Sequence, residues 1–545
     1  MADHIRAARS SRPAQPGVPT SMVIDTHVGG KRYASPLLWL PCELLVHMAS
    51  YLSTDDLCSL RLTCRRVERF LFDGFAEEFF SDRRFMVIGS SLECLVNIAK
   101  HAELSKRLSK LTIGLDRLYS ADAAEGARGR NYAVYNGPGA KGIDPHKLEE
   151  LFSEQNWLLA SGDFQLLLGE ALENLPNVVD ISIRDANVVR STCRPESNQH
   201  LVSYGVTEIC RQTGVDLLSD ESHLMLQDQF ADIVFTATLF AAARTGKRLN
   251  AITTDIQKRG MGLSSLAFVI PESLSDPLRL TLENLQSLDL SVSFTYAPLG
   301  SFSHGSLGFL RWQSHYLFKL LEYATNIVRL RVKSQGQSMV KDGVIGWLAK
   351  LVDLLKGEEV EPSHLYGTLH ASIDNLALAQ RFQTLQHLEL ENMIAPAKSL
   401  CKVMMQLTGS LRKLNLCMVG VSILPADDEL DNNPCSPNAW RLIFREMTKS
   451  DSLEELHVDS LGHHTQNCSR VDNRHQVVFL PSEIGVQSGP RNGLLLNTWS
   501  HAGSNAVMKN FLLELVGKTF VICDNCKQRN AGYRTIEDIL EAEMG

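Results

Sequence analysis

Cys523-Asp524-Asn525-Cys526 sets two thiols three positions apart, directly after the apolar stretch "TFVI". That spacing can supply half of a tetrahedral zinc site or a redox couple. Zinc would need two more ligands, and the nearest cluster of suitable side chains is His463, His464, Cys468 and His475. Nothing in the spacing ties that cluster to the cysteines, and no thioredoxin-like pattern surrounds them. The expectation is therefore two thiols at a strand end, with no metal and no cofactor. Gly517-Lys518-Thr519 matches the end of a phosphate-binding loop, but Leu512 occupies the place of the required upstream glycine. Other histidines are scattered, and neither H-E-x-x-H nor G-x-S-x-G occurs. No set of residues makes a case for catalysis.

The elements that would position any such group come from an ordinary soluble composition. The 545 residues are 44% hydrophobic and 21% charged, enough for about three domains or one extended repeat structure. The 54 basic and 62 acidic side chains give a net charge of -8, with no basic block to neutralise a phosphate backbone, which argues against nucleic acid. The first thirty-odd residues carry no signal-like apolar stretch and no later run approaches a membrane span, so the expected location is cytoplasmic or nuclear, with no membrane partner. Twelve cysteines are sparse for this length, and Cys42, Cys58 and Cys64 fall inside amphipathic patterns where a free thiol acts as a small apolar residue. Disulfides are not expected in a reducing compartment, and the sequon Asn467-Cys468-Ser469 has no meaning without secretion.

Along the chain, residues 1–34 mix Pro, Gly, Ser and charge without periodicity and read as a flexible tail. Residues 35–85 are helical in pattern, 86–530 alternate helix-like and short strand-like stretches, and 531–545 form a C-terminal tail.

Within the long region, six segments share one grammar: "NVVDISI" from Asn177, "NLQSLDL" from Asn284, "NIVRLRV" from Asn326, "TLQHLEL" from Thr384, "SLRKLNL" from Ser410 and "SLEELHV" from Ser452. Each reads polar, apolar, x, x, apolar, x, apolar, and the last two apolar positions share one face of a strand. "RLSKLTI" before Gly114 fits loosely as a seventh. Amphipathic helix candidates precede several of them: "DFQLLLGEALENL", "SHYLFKLLEYAT" and "SLCKVMMQLTG". A helix and a short strand cannot cover their own apolar face, so repeated units must stack with their strands in a parallel ladder. An ordinary α/β domain would also produce L-x-L in any buried strand; the copies of the longer grammar favour an array.

The pattern resembles leucine-rich repeats, whose strand core is L-x-x-L-x-L. The middle apolar positions fall at Ile181, Leu288, Leu330, Leu388, Leu414 and Leu456. Only the step from Leu388 to Leu414 matches the usual spacing of about 20 to 29 residues. Ala186, Ser293, Gln335, Met393, Val419 and Leu461 stand where Asn or Cys is usual, so the array is expected to be irregular, with long insertions and further units hidden.

At the other end, Pro41 suits a first helical turn, and Leu45, Met48 and Leu52 recur at i, i+3 and i+7, with Leu44 widening the stripe. Ser53 or Thr54 can cap the next helix, Asp55 and Asp56 suit its first turn, and Leu57, Leu60, Cys64, Val67 and Leu71 form its apolar face, away from Arg65, Arg66 and Arg69. Two such helices carry more apolar surface than they can bury against each other, so the excess must meet the rest of the chain or a partner. Leu40, Pro41, Glu43, Leu44, Leu45, Met48, Leu52, Asp56, Leu57, Leu60, Arg61 and Cys64 resemble the F-box motif, with Met48 where Ile or Val is usual. The following "FLFDGFAEEFF" resembles the aromatic-rich exit of F-box proteins from filamentous fungi, with Phe75 and Phe79 or Phe80 closing the unit.

The resemblance implies a non-catalytic substrate-recognition subunit of a Skp-cullin-F-box (SCF) ubiquitin ligase. It would dock on a Skp-type adaptor, and through it a cullin, by Leu40, Pro41, Leu44, Leu45, Leu52, Leu57 and Leu60, part of that stripe packing the unit internally. The array would hold an unknown protein substrate. A scaffold with an F-box but no part in ubiquitin transfer is the alternative; an enzyme with a helical appendage is a further one. The expected fold is thus a small helical F-box followed by an irregular leucine-rich-repeat-like solenoid of alternating helices and short parallel strands, α+β or α/β in class.

Overall fold

A computed structural model describes residues 39–522, apart from 50, 53, 121–133, 138, 140–141, 186–201, 219–228, 258–261, 294–315, 318, 335–383, 423–437, 465–473, 482–483 and 489–495. Both expected tails, Ser53, the sequon and Cys468, Cys523 and Cys526 lie outside the described residues. The chain divides into two compact units between Phe75 and Ala76.

The described residues of the first unit form the helices α1 (Cys42–Ala49) and α2 (Thr54–Leu62) and the larger part of α3 (Arg65–Phe80), which runs on past Phe75. Pro41 precedes α1, and its carbonyl accepts from the Leu45 N–H at 3.2 Å, so the proline that lacks a donor is placed where none is needed. The single apolar face expected from Leu57 to Leu71 is instead split between two helices. The Thr63 N–H and hydroxyl both fold back on the Leu60 carbonyl, at 3.1 and 2.6 Å, which ends α2 before Cys64 starts the next turn. Leu45, Ala49, Leu57, Val67 and Leu71 form the buried centre of the unit. The Arg61 guanidinium lies 3.5 Å over the Phe75 ring and 3.9 Å from Glu68, which accounts for an arginine beside that centre.

Among the described residues the second unit carries sixteen short strands: β1 (Asp82–Met86), β2 (Lys110–Gly114), β3 (Asp180–Arg184), β4 (Ala251–Asp255), β5 (Ser287–Val292), β6 (Arg329–Ser334), β7 (His387–Glu391), β8 (Ile394–Pro396), β9 (Lys413–Cys417), β10 (Gly420–Ser422), β11 (Glu455–Asp459), β12 (Gly462–His464), β13 (Arg474–Phe479), β14 (Val486–Ser488), β15 (Thr498–Ala502) and β16 (Thr519–Ile522). β1 starts at Asp82, so position 85, where the sequence reading ends the first unit, lies inside a strand of the second. An eleven-stranded sheet runs β1-β2-β3-β4-β5-β6-β7-β9-β11-β15-β14, parallel as far as β11 and closed by antiparallel β15 and β14. A five-stranded sheet runs β16-β13-β12-β10-β8.

All the grammar segments are strands of the large sheet, and their middle apolar residues are in direct register. Leu111, Ile181, Ile252, Leu288, Leu330, Leu388, Leu414 and Leu456 form one row across eight strands, every member buried. This row faces the helices, among them Asp163–Glu173, Phe230–Arg244, Ala397–Leu407 and Ala439–Met447, in one continuous apolar core. Two of the parallel strands of this sheet escaped the grammar. β4 has Thr254 where the last apolar residue belongs; its buried hydroxyl accepts from the Ser291 N–H at 2.8 Å, so the polar group is satisfied inside the core. β1 has Arg83 at the middle position.

In four of the six segments the leading polar residue stitches its unit to the one before. The Asn177 amide donates to the Lys106 carbonyl (2.6 Å), Asn326 to Glu283 (2.7 Å), and the hydroxyls of Thr384 and Ser452 to Ile327 (3.3 Å) and Leu411 (2.9 Å). Three consecutive units then turn in the same way: Asn392, Met418 and Ser460 take positive φ values of 55°, 53° and 50° after β7, β9 and β11, and lead into β8, β10 and β12. The residues that follow, Met393, Val419 and Leu461, stand where a regular leucine-rich repeat has Asn; Val419 and Leu461 are buried in the core instead.

Near the start of the array Arg84 is fully buried and donates to Asp116 at 3.0 Å, and Ser203 donates to the same carboxylate. Gly114 lies against all three, and a Cβ there would overlap the Asp116 and Ser203 oxygens and the Arg84 guanidinium. Gly114→Ala is expected to destabilise the array by about 1–3 kcal/mol through overpacking, read as a lower urea midpoint.

Candidate functional site

On α1 the buried residues Leu45 and Ala49 are four apart, and Pro41, Leu44 and Met48 lie along the flank of that stripe at i, i+3 and i+7. Leu44 is 51% exposed, Met48 50% and Leu52 41%. Trp39, Tyr51 and Leu62 are exposed as well. An apolar surface of this density on one small unit is costly to leave in water, which makes it a candidate contact surface.

The expected docking residues therefore divide. Pro41, Leu44 and Leu52 are exposed, Leu40 and Leu60 are half-buried, and Leu45 and Leu57 are 1% and 7% exposed. The last two hold the helices together and have no surface to offer a partner. Trp39, Tyr51 and Leu62 were not singled out from the sequence, because helical periodicity does not report on residues at helix ends and in turns.

The second candidate surface is the face of the large sheet turned away from the helices. Along its centre one row runs Thr253, Asp289, Arg331, Glu389, Asn415 and His457 across β4, β5, β6, β7, β9 and β11. Arg331 reaches three carboxylates on both neighbouring strands: Asp289 at 3.1 Å, Glu389 at 2.8 Å and Glu391 at 2.9 Å. Lys333 adds a contact to Glu391 at 3.1 Å. Burial works against the charged form of Arg331, but the three carboxylates outweigh it and push its proton affinity above the ordinary guanidinium range. Burial likewise pushes the Asp289 carboxyl up, against the opposing pull of Arg331. Further along, Arg412, Lys413, Glu454 and Glu455 rim an open hollow together with Asp451 and Asn505. This face thus offers both signs of charge on a rigid ladder, the means of recognising a polar protein surface.

The residues first considered for chemistry are placed as follows. Gly517 and Lys518 end the helix Asn505–Lys518 and Thr519 opens β16, so the triplet sits at a helix C-terminus, the wrong end for a phosphate. Lys518 donates to the Pro481 carbonyl at 2.6 Å. His463 and His475 are brought together across β12 and β13. Among the described residues no group of three or more His, Cys, Asp or Glu is placed to hold a metal ion, and no helix is long and apolar enough to cross a membrane.

Residues 37–76 match the family model for the F-box-like domain, which covers the helical unit and its exposed apolar flank. Comparison of the chain with curated proteins returns no match.

Proposed function

We propose that this chain is a substrate-recognition subunit of an SCF ubiquitin ligase. An F-box-like domain implies docking on a Skp-type adaptor, and the observation that carries the reading is the apolar flank Pro41, Leu44 and Leu52 exposed on that domain. Leu40 and Leu60 contribute their exposed edges, Met48 extends the flank, and Leu45 and Leu57 keep the helices in place beneath it. The adaptor brings a cullin, and the array, a leucine-rich-repeat-like solenoid, holds the target. The face of the ladder turned away from the helices keeps Thr253, Arg331, Asn415 and His457 partly exposed, a polar strip that suits a protein ligand better than a small molecule. The role is non-catalytic: the chain selects what is modified by others.

The test is co-purification of the full chain with a Skp-type adaptor and its cullin, followed by comparison of ubiquitinated proteins with and without the chain. The adaptor should co-purify, and a subset of ubiquitinated proteins should depend on the chain. An adaptor that fails to bind defeats the proposal, and binding with no dependent ubiquitination makes the chain a scaffold.

A further inference from the structure

The apolar row that begins at Leu111 has a cation at its outer end: Arg83 of β1 is registered opposite Leu111 and shares its face of the sheet. The guanidinium is half-buried, 5.3 Å from the centroid of the Phe80 ring and 6.0 Å from that of Phe79. Burial lowers its proton affinity. Among the described residues no carboxylate lies within ion-pairing distance of it, although Arg84 beside it has Asp116 and Arg331 has three. Ring faces compensate a desolvated guanidinium less than an anion does.

Tyr204 is brought to this cation from far along the chain. Its N–H donates to the Arg84 carbonyl at 2.8 Å, it forms a parallel bridge with Phe85, and its ring centroid lies 6.2 Å from that of Phe85. Arg83 and Phe85 alternate with Arg84 and so share one face of β1. The Tyr204 side chain therefore lies on the face that carries the guanidinium, and the two groups act on each other electrostatically. Tyr204 is 47% exposed, within reach of an enzyme. Interaction with Cys94, on the helix Gly89–Lys100, is the main influence that raises the proton affinity of its hydroxyl. Neither the adaptor-facing flank nor the polar face of the array uses Arg83 or Tyr204.

We propose that Tyr204 is a phosphorylation site whose phosphate is held by Arg83. A tyrosine kinase supplies the group from ATP: the phenol oxygen bonds the γ-phosphorus, the bond from that phosphorus to the β–γ bridging oxygen breaks, ADP leaves, and the phenol proton passes to the kinase. The side chain changes from neutral to a charge of about -1.5 to -2 with three strong acceptor oxygens. Charge-assisted hydrogen bonds from the guanidinium then give Arg83 the anion that the rings replace only in part. The pair ties Tyr204, and with it the start of the helix Val206–Thr213, to β1 at the first strand of the array.

Mass spectrometry of the full chain, isolated from its own cells with phosphatases inhibited, should find phosphate on Tyr204. Phosphorus NMR of the full chain with phosphotyrosine placed at position 204 during translation tests the pairing. A free phosphotyrosine loses its second proton near about pH 6, and a nearby guanidinium favours the dianion, so this titration should move down by about 0.5–1 pH unit relative to a short phosphotyrosine peptide. Arg83→Gln should return it to the peptide value, while Arg83→Lys, which keeps the charge, should retain part of the shift. If Arg83→Gln does not fold, the comparison of wild type with the peptide carries the test. Absence of phosphate on Tyr204 in the cells overturns the proposal, as does a titration equal to that of the peptide or unchanged in Arg83→Gln.

Discussion

Replacing Leu44 and Leu52 together by glutamate should weaken capture of a Skp-type adaptor by a factor of about 100 or more while leaving the helical unit folded. Both side chains are about half exposed, so carboxylates at these positions are solvated in the free protein and cost it little. Once an apolar partner covers them, each carboxylate loses its water without gaining a partner. A combined penalty of about 3 kcal/mol or more follows, which is the stated loss of affinity. Leu45→Ala and Leu57→Ala supply the contrast. These side chains are buried, and truncation removes packing at a cost of about 2–5 kcal/mol, a large share of what so small a unit has. Both kinds of variant lose the adaptor, and circular dichroism with thermal melting of the variants separates them. A Leu44→Glu, Leu52→Glu chain that binds the adaptor like the wild type would remove this flank from the interface.

Arg331→Ala should destabilise the array by about 3–5 kcal/mol at neutral pH, because it leaves Asp289, Glu389 and Glu391 facing one another without their shared cation. Arg331→Met, which keeps the volume of the stem, should recover only the packing part. The pH dependence identifies the cause. Burial already raises the Asp289 carboxyl in the folded chain, with Arg331 opposing the rise. A carboxyl raised on folding contributes stability that is fully present below its unfolded value, near pH 4, and is lost as pH rises through the folded value. Removal of Arg331 takes away the opposing pull, so the deficit of the variant should be smallest in acid and grow toward neutrality. Urea midpoints of wild type and variant between about pH 4.5 and 7.5 measure this. A deficit that does not change with pH would mean that packing, rather than charge, is what Arg331 supplies.

Much of this could be read from residue types because the features are local. The apolar pair two positions apart marks a strand face wherever it occurs, and the structure places every grammar segment in one sheet. The polar residue that begins each segment was legible as a position but not as a role; in four segments its bond goes to a carbonyl some forty to seventy residues earlier in the chain. β4 and β1 stayed hidden because a buried threonine and an arginine broke the pattern. Leu45 and Leu44 are adjacent, equally apolar and equally part of the motif, yet one is core and the other surface. One helical stripe viewed alone cannot separate its buried centre from its exposed flank, since that depends on where α2 and α3 lie.

What the sequence determined by itself was the helical unit, its surplus of apolar surface and the stacking of helix-strand units, all of which rest on periodicity within a dozen residues. What only the tertiary structure decided was register: the unbroken row from Leu111 to Leu456, the three carboxylates on Arg331, and His463 set against His475. Register is fixed by hydrogen bonds between strands far apart in the chain, through insertions of unequal length, and so no spacing along the chain can report it.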